Sequence, residues 1–205
     1  MSTEVTLTFS GITCTRNSTA TLPDTLRSVQ AQQGVALQHN FVDGDFTDGT
    51  LDLLRAQPGD VQVITGVSGG IARAMNAGIA AATGDVVAHL HSDDYYLRPD
   101  VLATVSQRLQ QDGSDWLFGR IVYDEGGTQV PEQFVVPRFS PGKILRRNFV
   151  PHPATFIRRQ VFQRHGVFRE DCRARCAHGP VWLWPEPCAR YLVRRWRQNF
   201  DVVAA

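Results

Sequence analysis

Apolar positions in the first half of the chain switch repeatedly between a period of two and a period near 3.6, the marks of strands and of one-sided helices. "VTLTFSGITCT" (5–15) is rich in β-branched residues and predicts a strand, with Gly11 as a bulge or break. "TLPDTLRSVQAQ" (21–32) predicts a helix: Leu22, Leu26 and Val29 recur at helical spacing, and Pro23 suits a first turn. "VALQHNFVD" (35–43) predicts a second strand, and "TDGTLDLLRAQ" (47–57) a second helix with Leu51 and Leu54 inward. "DVQVIT" (60–65) is a third strand between turn-forming "PG" and "SGG". "IARAMNAGIAAA" (71–82) is a third helix, with Gly84 placed to end it. "DVVAHLH" (85–91) is a fourth strand, and "RPDVLATVSQRLQQ" (98–111) a fourth helix closed by "DG".

The second half is less regular. "DWLFGRIVYDE" (115–125) predicts one strand running into a turn at "EGG", and the proline-punctuated "VPEQFVVPRFSPGKILRRN" (130–148) a loop with a short helix. "HPATFIRRQVFQRHGVF" (152–168) predicts a short strand, a short helix and a turn at Gly166. Strand–helix alternation with short connections implies an α/β fold, a mostly parallel sheet flanked by helices. Such sheets bind ligands beyond the carboxyl ends of their strands. Asp43 falls at the end of the second strand, and Asp93 and Asp94, in "HLHSDDYYL", just past the fourth. A turn explains any one of these acids, because Asp and Ser commonly begin turns and Asp43 precedes Gly44. A shared edge bearing all three fits a metal and ligand site better.

Composition narrows the classes. The chain has 205 residues, 42% hydrophobic and 20% charged, enough for one domain with its own core. A net charge of +1 gives no electrostatic footprint for nucleic acid. No apolar run approaches the roughly 20 residues that span a bilayer, and "MSTEVTLTFSG" lacks the pattern of a secretory signal, so a cytoplasmic location is the expectation. Of the four cysteines, Cys172, Cys176 and Cys188 cluster near the end. Cys172, Cys176 and His178 could be read as zinc ligands, but "CRARCAH" matches no common zinc spacing, and free thiols in a reducing compartment are the expectation.

Four stretches, "TLPDTLRSVQAQ", "VDGDFTDGTLDLL", "AMNAGIAAATGDVVAHLHSDDYY" and "HPATFIRRQVFQRHGVF", together resemble family 2 glycosyltransferases of the GT-A fold, in the branch found in bacterial polysaccharide and colanic-acid-type clusters. The likeness covers roughly residues 4–170, with several motifs in order. It implies a Rossmann-like sheet, a UDP- or GDP-linked sugar donor, Mg²⁺ or Mn²⁺, and inverting transfer to a glycan or lipid-linked hydroxyl. By the resemblance, Asp94 binds the metal and Asp93 the ribose or a metal-bound water. Asp43 contacts the nucleotide base, Asn76 and Gly78 flank the donor cleft, and His152 lies near the acceptor. Alternatively, Asn76 braces a helix and His152 is a packing residue. The chemistry is coherent, since carboxylate-bound Mg²⁺ or Mn²⁺ offsets charge on a departing diphosphate.

The chain also departs from the family pattern. Phe46 stands where a small hydroxyl residue is usual, Ser68 near the place of an acid, and Ala72 and Arg73 where an aromatic and an acid are usual. After "GVFRED" the family continues to an acid-bearing helix that supplies the general base, needed because a neutral sugar hydroxyl is a poor nucleophile. Here an Arg-, Cys-, Trp- and Pro-rich stretch follows, so the reading divides the chain into a GT-A domain (1–171) and an atypical tail (172–205). The expectation is a truncated or aberrant C-terminal part, translated out of frame from about residue 172, with no recognisable catalytic base. On that ground the alternative to an active transferase is a catalytically silent nucleotide-sugar-binding remnant. A nucleotidyltransferase is set aside because "SGITCTRNST" is not a glycine-rich basic triphosphate loop. "RYLVRRWRQNF" interleaves Arg with apolar residues, which suits peripheral association with an anionic inner membrane face.

Overall fold

The computed structural model describes residues 6–44, 46–125, 128–131, 150–170 and 203–204. The tail expectations for 172–202, including the zinc-like cluster and the membrane-facing stretch, and those for the "ILRRN" region lie outside the described residues.

The alternation predicted from the pattern is present: β1 (Phe9–Thr15), α1 (Leu22–Gln30), β2 (Leu37–Asp43), α2 (Thr50–Arg55), β3 (Val61–Ile64), α3 (Ile71–Ala81), β4 (Val86–His89), β5 (Asp94–Tyr95) and α4 (Val101–Asp112). There follow β6 (Trp116–Phe118), β7 (Val122–Glu125), β8 (Thr128–Pro131), β9 (Thr155–Arg158), α5 (Arg159–His165) and β10 (Val203–Ala204). Six strands form the main sheet in the order β3-β2-β1-β4-β9-β6. β1 pairs parallel with β2 and β4, and β2 with β3, while β9 runs antiparallel between β4 and β6. β7 and β8 form a separate hairpin, and β10 pairs antiparallel with β5.

The period of two along each strand supplies both faces of the sheet. Ile12, Cys14, Val42, Val87, Trp116, Phe118 and Ile157 join the core under α3 and α5, with Met75, Ile79, Val161 and Phe162. The alternate residues Phe9, Val86, Ala88, Leu117 and Phe156 meet Val29 of α1 and Val101, Leu102, Val105 and Leu109 of α4 on the other face. Phe41 packs with Leu22, Leu26 and Leu54, which seats α1 and α2. Helices therefore cover both faces, as continuous apolar runs in β4 and β6 demand.

Three local expectations are corrected. Gly11 makes no bulge: β1 stays in register through it, opposite His39 and Ala88. Gly84 does not cap α3, whose C-cap is Ala82 in extended conformation. Gly84 is needed because the chain passes against β1, where a Cβ would lie 2.5 Å from Phe9 C and 2.8 Å from Ser10 N. The strand predicted over 115–125 is two strands, β6 and β7, separated after Phe118, and they join different sheets.

Candidate functional site: the carboxyl edge of the sheet

Parallel pairing lines up the carboxyl ends of β1, β2 and β4, and the loops that leave them are stitched together. Asp43 is the last residue of β2, paired with Thr15 of β1, and is buried at 7% exposure. Its Oδ1 accepts from the backbone N–H of Phe46 at 3.0 Å. Phe46 in turn packs on the Leu22–Leu26–Phe41–Leu54 cluster, so the unusual aromatic anchors the turn that orients Asp43. Asp48, which the sequence reading passed over, ties the same loop to the one after β1. Its Oδ2 accepts from Thr19 N and Oγ1, and its Oδ1 from Thr50 N and Oγ1. The Thr50 hydroxyl first, with the Thr19 and Thr50 amides, holds its carboxyl down at about 2.

The acidic pair sits on the turn between β4 and β5. Asp94 N–H donates to His91 O at 3.1 Å, closing the turn, and the Ser92 hydroxyl lies 2.8 Å from that of Ser18 in the loop after β1. Thr25 of α1 donates to Asp94 O at 2.8 Å and to His91 O at 3.4 Å. Asp94 is 5% exposed while Asp93 is exposed, so the adjacent acids occupy different surroundings. Burial first, then the Asp94 carboxylate, pushes up the pKa of the buried Tyr96 phenol. Among the described residues no group of three or more His, Cys, Asp or Glu side chains is arranged to hold a metal alone. Adjacent hard carboxylates at a ligand edge fit a Mg²⁺- or Mn²⁺-type ion that takes its remaining oxygens from phosphates and water.

Beside this turn is a histidine cluster of which only His152 was anticipated. The rings of His89 and His152 are 5.1 Å apart, and those of His91 and His152 5.3 Å. Phe168 packs edge-on against His89 and His152. The "HLH" pattern carried a legible signal, since residues two apart in a strand share a face. His89 Nε2 is buried with no hydrogen-bond partner among the described residues. Burial, with the neighbouring His91, lowers the His89 pKa to about 3. Burial likewise lowers His91, partly offset by Asp93, and His152, which also feels His89 and His91.

The fold thus accepts these rings in the neutral form, and the associated stability is intact above pH 6.5. For His89 it is lost as pH falls from 6.5 towards 3. His89 alone should lower the unfolding free energy by roughly 1.4 kcal/mol per pH unit in that window. Urea unfolding at pH 7, 6 and 5 checks this, and His89→Leu should flatten the slope; an equal slope in both proteins would refute it.

Asn76 stands apart from the acids. Its Nδ2 donates to Phe168 O and Glu170 Oε1, both at 2.9 Å, and its Oδ1 accepts from Phe168 N at 2.9 Å. The amide therefore straps the segment after α5 onto α3. Gly78, two residues along, lets α3 lie close to β1, since a Cβ there would be 2.4 Å from Ile12 Cγ2. Asn76→Ala should cost about 1–3 kcal/mol in chemical unfolding by orphaning the Phe168 backbone groups, while nucleotide affinity by calorimetry stays within twofold. A large affinity loss at unchanged stability would instead make Asn76 a donor contact. Ser68 and Arg73 are exposed at the start of α3, with the Arg73 side chain folded beside Gly69.

The family model described as Glycosyl transferase family 2 matches residues 10–170. The chain belongs to glycosyl transferase family 2. An uncharacterised glycosyltransferase of Mycobacterium tuberculosis is 33% identical over 172 residues, covering 80% of this chain and 63% of that protein. A PGL/p-HBAD biosynthesis glycosyltransferase of Mycobacterium bovis is 30% identical over 165 residues, covering 78% and 62%. The family 2 chain thus spans somewhat under two thirds of the length of these curated relatives. Among solved structures, S. aureus TarS 1–349 aligns with a TM-score of 0.72 at 21% identity, covering 96% of this chain and 58% of that one. A mannosyltransferase of Pyrobaculum calidifontis, solved in complex with GDP-Man and Mn²⁺, aligns with a TM-score of 0.70 at 17% identity, covering 98% and 58%. At these identities the likeness concerns the fold.

Proposed function

We propose that this family 2 protein binds a nucleoside-diphosphate sugar at the carboxyl edge of its sheet and transfers the sugar, with inversion, to a hydroxyl of a glycan or lipid-linked acceptor. The observation that carries the reading is the placement of Asp43 and Asp94, both buried, at one edge of the sheet, their loops each tied to the loop after β1, one through Asp48 and Thr19 and the other through Ser92 and Ser18. Two carboxylates buried at the carboxyl edge of an α/β sheet, where such folds bind ligands, favour a ligand that engages them. TarS solved with UDP-GlcNAc and the mannosyltransferase solved with GDP-Man and Mn²⁺ support a nucleotide-sugar ligand.

In this reading Asp43, held by the Phe46 amide, accepts hydrogen bonds from base N–H groups. Asp94 is the cation-holding carboxylate, and exposed Asp93 reaches the ribose or a cation-bound water. A divalent cation there stabilises the charge that develops on the departing diphosphate. Gly78 keeps α3 against the sheet beside the donor cleft, Asn76 straps the segment at Phe168 onto the same helix, and His152 faces the acceptor side. Calorimetric titration with UDP and GDP, with and without Mn²⁺, tests the reading. Binding that requires Mn²⁺ is expected, and folded protein that binds neither nucleotide would refute it.

The lack of a recognisable base-bearing segment in the sequence after residue 171, with the departures at Phe46, Ser68 and Arg73, favours a second reading, a nucleotide-sugar-binding protein without turnover. Binding with no release of nucleoside diphosphate from UDP- or GDP-sugars would select it. A place in polysaccharide assembly, cytoplasmic and at the inner membrane face, accords with lipid-linked acceptors. Among the described residues no helix is long and apolar enough to cross a membrane.

A further inference from the structure

We propose that Tyr95 and Asp124 form a latch that positions the Asp94 carboxylate, making the β7–β8 hairpin a working part of the metal and donor site. The inference rests on the donor-site reading above and adds two positioning residues to it. Tyr95 directly follows Asp94 in β5, and its phenol donates to Asp124 Oδ2 at 2.6 Å in part-buried surroundings. Asp124 belongs to β7, whose only sheet partner among the described residues is β8. The bond therefore links the acidic turn to an element outside the main sheet.

Geometry explains why this bond bears on Asp94. Successive side chains of a strand point to opposite faces, so a phenol tethered on one face limits rotation of the peptide that aims Asp94 on the other. The turn is already held by Asp94 N–H on His91 O, by the Thr25 hydroxyl on the carbonyls of His91 and Asp94, and by the pairing of β5 with β10. Those contacts fix the backbone position of the turn. The phenol adds the restraint against twisting, at the residue next to the carboxylate. A hydrogen bond to an ionised acceptor is short and strong, which suits it to this task. The latch borders a cavity of about 400 Å³ lined by Asp24, Arg27, Ser28, Tyr95 and Asp124.

The test compares wild type, Tyr95→Phe, Asp124→Ala, the double variant and Asp124→Asn, each titrated with UDP and GDP with and without Mn²⁺ and melted thermally. Tyr95→Phe and Asp124→Ala should each weaken Mn²⁺-dependent affinity about tenfold and leave any metal-free affinity within twofold. The double variant should be no weaker than either single one, because both remove the same bond. Asp124→Asn, which keeps an acceptor for the phenol, should restore most of the loss. If wild type binds with Mn²⁺ and Tyr95→Phe binds equally well, the latch is refuted and the donor site stands. A fall in melting temperature alone, with Mn²⁺-dependent affinity unchanged, also refutes it, since that is the mark of a merely structural contact. If wild type shows no Mn²⁺-dependent binding, the donor-site reading itself is overturned and the latch with it.

Discussion

Asp94→Ala should weaken Mn²⁺-dependent nucleotide binding by about 100-fold or more, the upper end of what even outer-shell changes do to metal affinity. The expectation follows from the two kinds of restraint on this residue. Its backbone is fixed by the turn to His91 and by the Thr25 hydroxyl, neither of which involves its own side chain. Removing the carboxylate should therefore leave these backbone contacts of the turn in place. Asp94→Asn separates charge from shape: it keeps the side-chain volume and should lose nearly as much. Asp93→Ala, at an exposed position, should lose less. Calorimetry on variants whose melting curves match wild type reads the effect directly. Undiminished Mn²⁺-dependent affinity in Asp94→Ala would leave the acidic pair as an ordinary turn.

Gly84→Ala should destabilise the fold severely although it adds only one methyl group. A Cβ at this position would meet Phe9 C at 2.5 Å, Ser10 N at 2.8 Å and Phe9 O at 2.9 Å, all backbone atoms of β1. No rotamer change relieves such a clash, so β1 or the chain leading into β4 must move. Both are tied: Ser10 Oγ accepts from the N–H groups of Gly84 and Thr83 at 2.9 and 3.1 Å, and Gly84 O accepts from Arg159 Nε at 2.8 Å. Gly84→Ala should therefore cost about 3 kcal/mol or more, at the top of the overpacking range. Gly78→Ala makes the useful contrast. Its clash is with a side chain, nearest at Ile12 Cγ2, so Ile12→Ala, which removes that atom, should combine with Gly78→Ala less than additively. Equal midpoints for wild type and Gly84→Ala in urea would show that the strand yields more easily than this contact implies.

Much of the architecture was legible because its signal is periodic and local. Leu22, Leu26 and Val29 mark one face of α1, and the apolar run in "DVVAHLH" marks a strand buried on both sides. Where the reading failed, the deciding contact was distant. Gly84 looked like a helix terminator because helices commonly end in glycine, but its requirement comes from β1, more than seventy residues earlier. Gly11 suggested a bulge, but strands on both sides pair through it without interruption. β6 and β7 read as one strand because nothing local to "DWLFGRIVYDE" says that its halves pair with different partners.

The candidate site divides in the same way. Strand order and the position of acids at strand ends place Asp43, Asp93 and Asp94 on one edge from sequence alone, because parallel β–α units send every strand's carboxyl end the same way. Which of the adjacent acids is buried, that Phe46 braces Asp43, that Asn76 straps the segment at Phe168, and that Tyr95 reaches Asp124 were all decided by folding. Each depends on side chains from elements far apart in the chain, whose meeting is set by packing across the sheet, and no local pattern of residues encodes that distance.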